Sequence, residues 1–181
     1  MRNLKKTLTT MLAVIMLVSI SAPAFAADTT SQSTPVEVTA AAATFNVTVP
    51  TTLPISVSAT GVVTTASDAK IVNNSWGAIK VSGLAITGQN GWSIANFDTT
   101  NMSTAKVNAK LIAMSINGDK TTGVDAISFN AVNFPKLDGM NDTATDELAI
   151  TYTAKVPAQS TAIASTAIAQ VVFTIEWDAV V

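Results

Sequence analysis

The chain has 181 residues, ten basic against twelve acidic, and neither histidine nor cysteine. Those two absences exclude disulfides, thiolate nucleophiles, Cys-ligated zinc and both Ser-His-Asp and Cys-His catalysis. With 48% hydrophobic and only 12% charged residues, stability has to come from packing and backbone hydrogen bonds.

At the N-terminus Arg2, Lys5 and Lys6 precede an apolar run from Met11 to Ile20, followed by Ser21-Ala22-Pro23 and then Ala24-Phe25-Ala26. A basic n-region, a short apolar core and an A-x-A site predict a signal peptide over residues 1–26, cut after Ala26. A membrane span needs about 20 helical residues, so the run is too short to serve as an anchor. Cleavage removes three basic residues and no acidic one, leaving seven lysines against twelve carboxylates, a net charge of −5. The exported chain is therefore expected outside the cell, without affinity for nucleic acid or for anionic membranes. The remaining residues fall within the range of one domain.

Residues 27–43 are polar and small and predict a flexible leader. Within it, Pro35-Val36-Glu37-Val38-Thr39 is β-capable, and Val36 and Val38 are candidates for adding a strand to an open sheet edge on a neighbouring subunit. From residue 44 to 181 the pattern predicts one all-β domain, an antiparallel β-sandwich of jelly-roll or immunoglobulin-like type with nine or ten strands. Phe45, Val47 and Val49 alternate with polar residues, and Ile55 and Val57 resume the rhythm after Pro50 and Pro54. Gly61 opens a turn into Val62-Val63-Thr64. Lys70–Asn74 and Ile79–Ile86 flank a bend at Asn73-Asn74-Ser75. Asn90-Gly91 and Asn117-Gly118 are hairpin signals, because both residue types accept positive φ.

Residues 107–116 predict a strand partly buried on both faces, and Leu148–Val156 a single strand. In the closing segment Val171, Phe173, Ile175 and Trp177 share one face, opposite Val172, Thr174, Glu176 and Asp178, which places Trp177 in the core. Ser160–Ala164 is repeated unchanged as Ser165–Ala169. Alanine favours helix while Thr and Ile favour strand, so the repeat is either a helical turn or a loop into the last strand.

Three constellations carry possible chemistry. Trp76, Trp92 and Trp177 with Tyr152 could stack on sugar rings; Trp76, in a polar bend, is the candidate ligand-binding residue. Asp138, Asn141, Asp142 and Asp146 offer oxygen ligands of the kind calcium prefers, without the EF-hand spacing; calcium is the one cofactor this composition suggests. For catalysis only carboxylates remain, such as Glu147 or Glu176 with a second Asp. Glu176-Trp177-Asp178 sets both acids on the solvent face of a strand, and no motif supports a glycosidase pair, so the expectation is a non-enzymatic protein. The C-terminus shows no sorting tail, so retention at the cell would rest on binding or polymerisation.

Gly91-Trp92-Ser93-Ile94 after a turn, followed at the C-terminus by Phe173-Thr174-Ile175-Glu176-Trp177-Asp178, resembles the WxL domain of Gram-positive surface proteins, with Ile94 where that family has leucine and Trp177-Asp178-Ala179 at the second motif. Asn73-Asn74-Ser75-Trp76-Gly77 ahead of Ile79-Lys80-Val81 is similar to the TasA and camelysin type of biofilm-matrix fibre protein, whose fold is a jelly-roll sandwich. These resemblances imply a structural or adhesive role at a bacterial surface, with self-association or cell-wall and matrix polysaccharide as partner. A carbohydrate-binding module is the alternative.

Overall fold

The structure, a computed structural model, describes residues 42–140 and 145–178. Residues 1–26, expected to be a signal peptide, the expected leader up to residue 41 with Val36 and Val38, and the loop residues Asn141 and Asp142 lie outside the described residues. The chain is all-β, 41% strand and 2% helix, with several antiparallel sheets that curl into a half-barrel.

Twelve strands are present among the described residues: β1 (Val47–Thr48), β2 (Ile55–Val57), β3 (Val63–Thr65), β4 (Lys70–Asn73), β5 (Ile79–Gly88), β6 (Ser93–Ile94), β7 (Leu111–Ile116), β8 (Asp119–Gly123), β9 (Ala126–Ile127), β10 (Glu147–Ala149), β11 (Tyr152–Lys155) and β12 (Ala169–Trp177). One sheet has the order β1-β4-β10 and another β11-β7-β8-β9, with β6 added to β7; β12-β5 and β2-β3 are two-stranded ribbons. One apolar cluster joins them all. Its fully buried members are β-branched or aliphatic, among them Ile71, Ile79, Ile86, Ile112, Ile116 and Ile150, side chains whose stiff χ1 suits a pleated surface.

The strands exceed the nine or ten expected because the chain changes sheet inside apolar runs. Leu148–Val156, which alternates like one strand, divides at Ile150-Thr151: β10 pairs with β4, and β11 with β7. Asn117 fixes that corner, its Oδ1 accepting from Thr151 N at 2.7 Å. The duplicated segment is a loop leading into β12 and has no helical turn.

Of the two Asn-Gly signals, Asn117 (φ 47°) and Gly118 (φ 92°) form the tight turn of the β7–β8 hairpin, with Ile116 opposite Asp119. Asn90 and Gly91 also take positive φ, and Trp92 N donates to Gln89 O at 2.9 Å. Here the turn does not lead to a hairpin. β6 runs parallel to β7 instead, Ser93 opposite Leu111, an arrangement that buries Trp92 and Ile94 in the common core.

In the β5–β12 ribbon, Thr174 faces Gly83 and Ile175 faces Val81, so Ser82 is an extra residue, a β-bulge. Without it, strict alternation from Ile79 and Val81 would turn Leu84 and Ile86 to the opposite face. The bulge shifts the phase by one residue, and all four side chains are buried.

At the far end of β5, a Cβ built on Gly88 would lie 2.1 Å from the carbonyl oxygen of Trp92. That neighbour is backbone, so it cannot rotate away. Gly88→Ala is expected to cost about 2–3 kcal/mol. Urea unfolding followed by tryptophan fluorescence measures this, and an unchanged midpoint contradicts the close approach of the two segments.

Candidate functional site

The Asn73 side chain is fully buried at the end of β4 and organises the loop that carries Trp76. Its Nδ2 donates to Gly77 O and Asp138 O, both at 2.9 Å, and its Oδ1 accepts from Ser75 N at 2.9 Å. The backbone N–H of Asn73 donates to Asp146 O at 2.8 Å. Ser75 extends the network towards β1: its Oγ accepts from Asn46 N at 2.8 Å and donates to Asn46 O at 3.0 Å. The Asn73 amide thus ties the 74–78 bend to the strap around Asp138, and the Ser75 hydroxyl links that bend to the stretch entering β1.

With its backbone held in this way, Trp76 projects outward and is 68% exposed. Close by, the rings of Phe45 and Trp177 meet edge to face at 5.0 Å. The Trp177 indole lies over Gly77, where an added Cβ would come 2.9 Å from its Cζ3, and a Cβ on Gly139 would fall 2.0 Å from Trp76 O. Met140 N donates to Ser75 O at 2.9 Å, bringing another exposed apolar side chain to the same bend. The result is an apolar rim of Phe45, Trp76, Met140 and Trp177. These exposed apolar side chains make the rim the candidate interaction surface.

Along β12, the cross-strand partners Ile86, Leu84 and Val81 on β5 are buried, whereas Val171, Phe173 and Ile175 are only partly covered. Among the described residues each strand of this ribbon has only the other as ladder partner, but β5 is also bridged to Leu137 at Ile79 and its side chains pack in the common core, whereas β12 has no partner on its outer edge. The usual guards of an edge are missing: no lysine or proline occurs in β12, and Glu176, its one charged residue, is near the end. Lys80 lies 3.6 Å from Glu176 and 3.5 Å from Asp178, exposed pairs of small energetic weight.

The aromatic residues grouped in the sequence reading separate. Trp92 and Tyr152 are core residues, with the Tyr152 hydroxyl donating to Pro54 O at 2.7 Å. Trp177, expected in the core, is 36% exposed at the rim. It shares the inward face of β12, but that face runs out of covering structure at its end. Phe45, expected only as a strand residue, lies ahead of β1 and joins the rim with Met140, which carried no signal of its own.

Of the calcium candidates, Asp138 pairs with Lys136 at 2.8 Å, and Asp146 contributes its backbone carbonyl to Asn73. Among the described residues no three acidic side chains gather as a metal site would require. Glu147 pairs with Lys70 at 2.7 Å in the β4–β10 sheet, while Glu176 belongs to the β5–β12 ribbon.

No protein-family model, curated protein or solved structure matches this chain.

Removing the Asn73 amide strands two carbonyls and one N–H in a buried setting. Asn73→Ala is expected to lose about 2–4 kcal/mol on that account. Asn73→Asp, which sets a carboxylate against the same carbonyls, is expected to lose more. Urea titration of both variants tests this ranking; a smaller loss for the aspartate contradicts it.

Proposed function

We propose that this protein is a secreted, non-enzymatic subunit of a cell-surface or extracellular matrix that assembles by strand addition. The observation that carries the reading is the edge of β12, nine residues long and without a strand partner among the described residues, whose inward apolar side chains are only partly buried while those of β5 are buried. On this reading the curled half-barrel is an incomplete jelly-roll sandwich, and the missing strand comes from a second copy.

The leader is the strand supplied. Residues 27–43 extend about 55 Å when straight, enough to leave one subunit and cover the roughly 30 Å of a nine-residue strand on another. Val36 and Val38 alternate with Glu37 and Thr39, so both valines can fill the space beside Val171 and Phe173. Phe45, near the start of the described residues, lies against Trp177 at one end of that edge. The resemblances to surface and matrix-fibre proteins support the same role, as do the signal-like N-terminus and the absence of histidine and cysteine.

A second reading is supported by the 68% exposure of Trp76: the rim stacks on sugar rings of a wall or matrix polysaccharide. Soluble polysaccharide then quenches tryptophan fluorescence, and Trp76→Ala removes the response. Equal quenching in the variant, or no response to a broad glycan panel, counts against it.

For assembly, electron microscopy over a concentration series is expected to show filaments for the intact chain. Deletion of residues 27–43 should abolish them, as should V172K combined with T174K, which places charge on the exposed face of β12 without touching the core. Unchanged filaments in both variants, or an intact chain that stays monomeric throughout, contradicts the proposal.

A further inference from the structure

The duplicated Ser-Thr-Ala-Ile-Ala segment has a structural consequence unrelated to the edge of β12. Its two copies place the equivalent residues Thr161 and Thr166 on the wall of one cavity of about 290 Å³, which also has Trp92 and Lys110 in its lining. The two isoleucines of the repeat part ways: Ile168 packs on the core, whereas Ile163 is 48% exposed at the cavity. The first copy therefore adds nothing to the core that the second does not already supply. What it adds is a wall.

That wall is fastened from both sides. Asn90 Nδ2 donates to Ala167 O at 2.8 Å, and Asn108 exchanges hydrogen bonds with Ser160, accepting at Oδ1 from its N at 2.8 Å and donating from Nδ2 to its Oγ at 2.7 Å. After these bonds are counted, several polar groups still have unspent capacity: the Oδ1 of Asn90, the Oε1 of Gln159 and the hydroxyl of Thr161 have no partner among the described residues.

Lys110 is the cation at this cavity. Its Nζ donates to Asn90 O at 3.2 Å and has no carboxylate within ion-pair distance among the described residues. By contrast, Lys70, Lys80, Lys120 and Lys136 each pair with an acid. A lysine with two spare N–H donors, beside the exposed Ile163 and a set of hydroxyl and amide groups, matches a ligand rich in hydroxyls that has one apolar face and one negative charge. Ligand sites run from about 300 to 1,000 Å³, so this cavity is sized for a single small unit.

We propose that the cavity between the 89–92 turn and the duplicated loop binds one acidic sugar unit, with its anionic group on Lys110 Nζ and its hydroxyls on Asn90, Gln159 and Thr161. The inference stands apart from strand addition and does not depend on it.

Isothermal titration of the full chain tests it with three probes: tri-galacturonate, its fully methyl-esterified counterpart, and glucose 6-phosphate. The esterified trimer is expected to bind at least about tenfold more weakly than the acid, the size of one lost charge-assisted contact. Lys110→Met, which keeps the side-chain stem of an exposed residue, should lower affinity for the acid by a similar factor, whereas Lys106→Met should leave it unchanged. Glucose 6-phosphate that binds in a Lys110-dependent way while the trimer does not would identify phosphate as the anionic group and still support the site. Equal affinity for acid and ester, an unaffected Lys110→Met, or no binding of either anion up to about 10 mM overturns the proposal.

Discussion

The buried amide of Asn73 is the contact on which the exposed features of this protein depend. A side-chain amide has two N–H donors and one oxygen acceptor, and here they serve Gly77, Asp138 and Ser75 at once. Each of these groups belongs to a bend that has no ladder to satisfy it. Were the amide lost, buried carbonyls would be left without donors, a cost that ordinary surface contacts would not offset. Because the bend is held from beneath, Trp76 need not pack to keep its loop in place, and its indole stays outside. Gly77 and Gly139 complete the arrangement by leaving room for the Trp177 ring and the Trp76 carbonyl.

A second constraint is the uneven cover of the β5–β12 ribbon. The bulge at Ser82 turns Leu84 and Ile86 inward, so β5 is buried along its length, and β12 becomes the boundary between core and solvent. Among the described residues nothing pairs with the outer edge of this nine-residue strand, and an edge without a partner presents a row of N–H and C=O groups to any passing strand. The proposed assembly by strand addition would fill that edge with another chain. The cavity behind the duplicated loop lies elsewhere and would let the same subunit hold an acidic glycan while its edge is engaged.

Much of the fold was legible in residue order, and the reasons are local. Period-two alternation in Val171–Trp177, the Asn-Gly pair at 117–118 and Gly61 each specify their own short stretch, since side-chain direction in a strand and positive φ at a turn are properties of a few neighbouring residues. The same locality explains what was missed. Asn90-Gly91 takes its turn conformation as its residues dictate, yet whether the returning strand lies along β5 or beside β7 depends on where Trp92 and Ile94 find cover. Leu148–Val156 alternates without interruption and still changes sheet, because the corner at Ile150-Thr151 is set by Asn117, more than thirty residues away.

By itself, then, the sequence determined the all-β character, the turn positions, and a chemistry confined to carboxylates, amides, hydroxyls, lysines and aromatic rings, because these follow from residue type and near-neighbour spacing. Only the tertiary structure decided which tryptophans are core and which are rim, which carboxylates meet lysines, that the repeat builds the wall of a cavity, and that the outer edge of β12 has no strand partner among the described residues. Exposure and pairing are sums over all the segments that pack against a residue, and those segments come from distant parts of the chain.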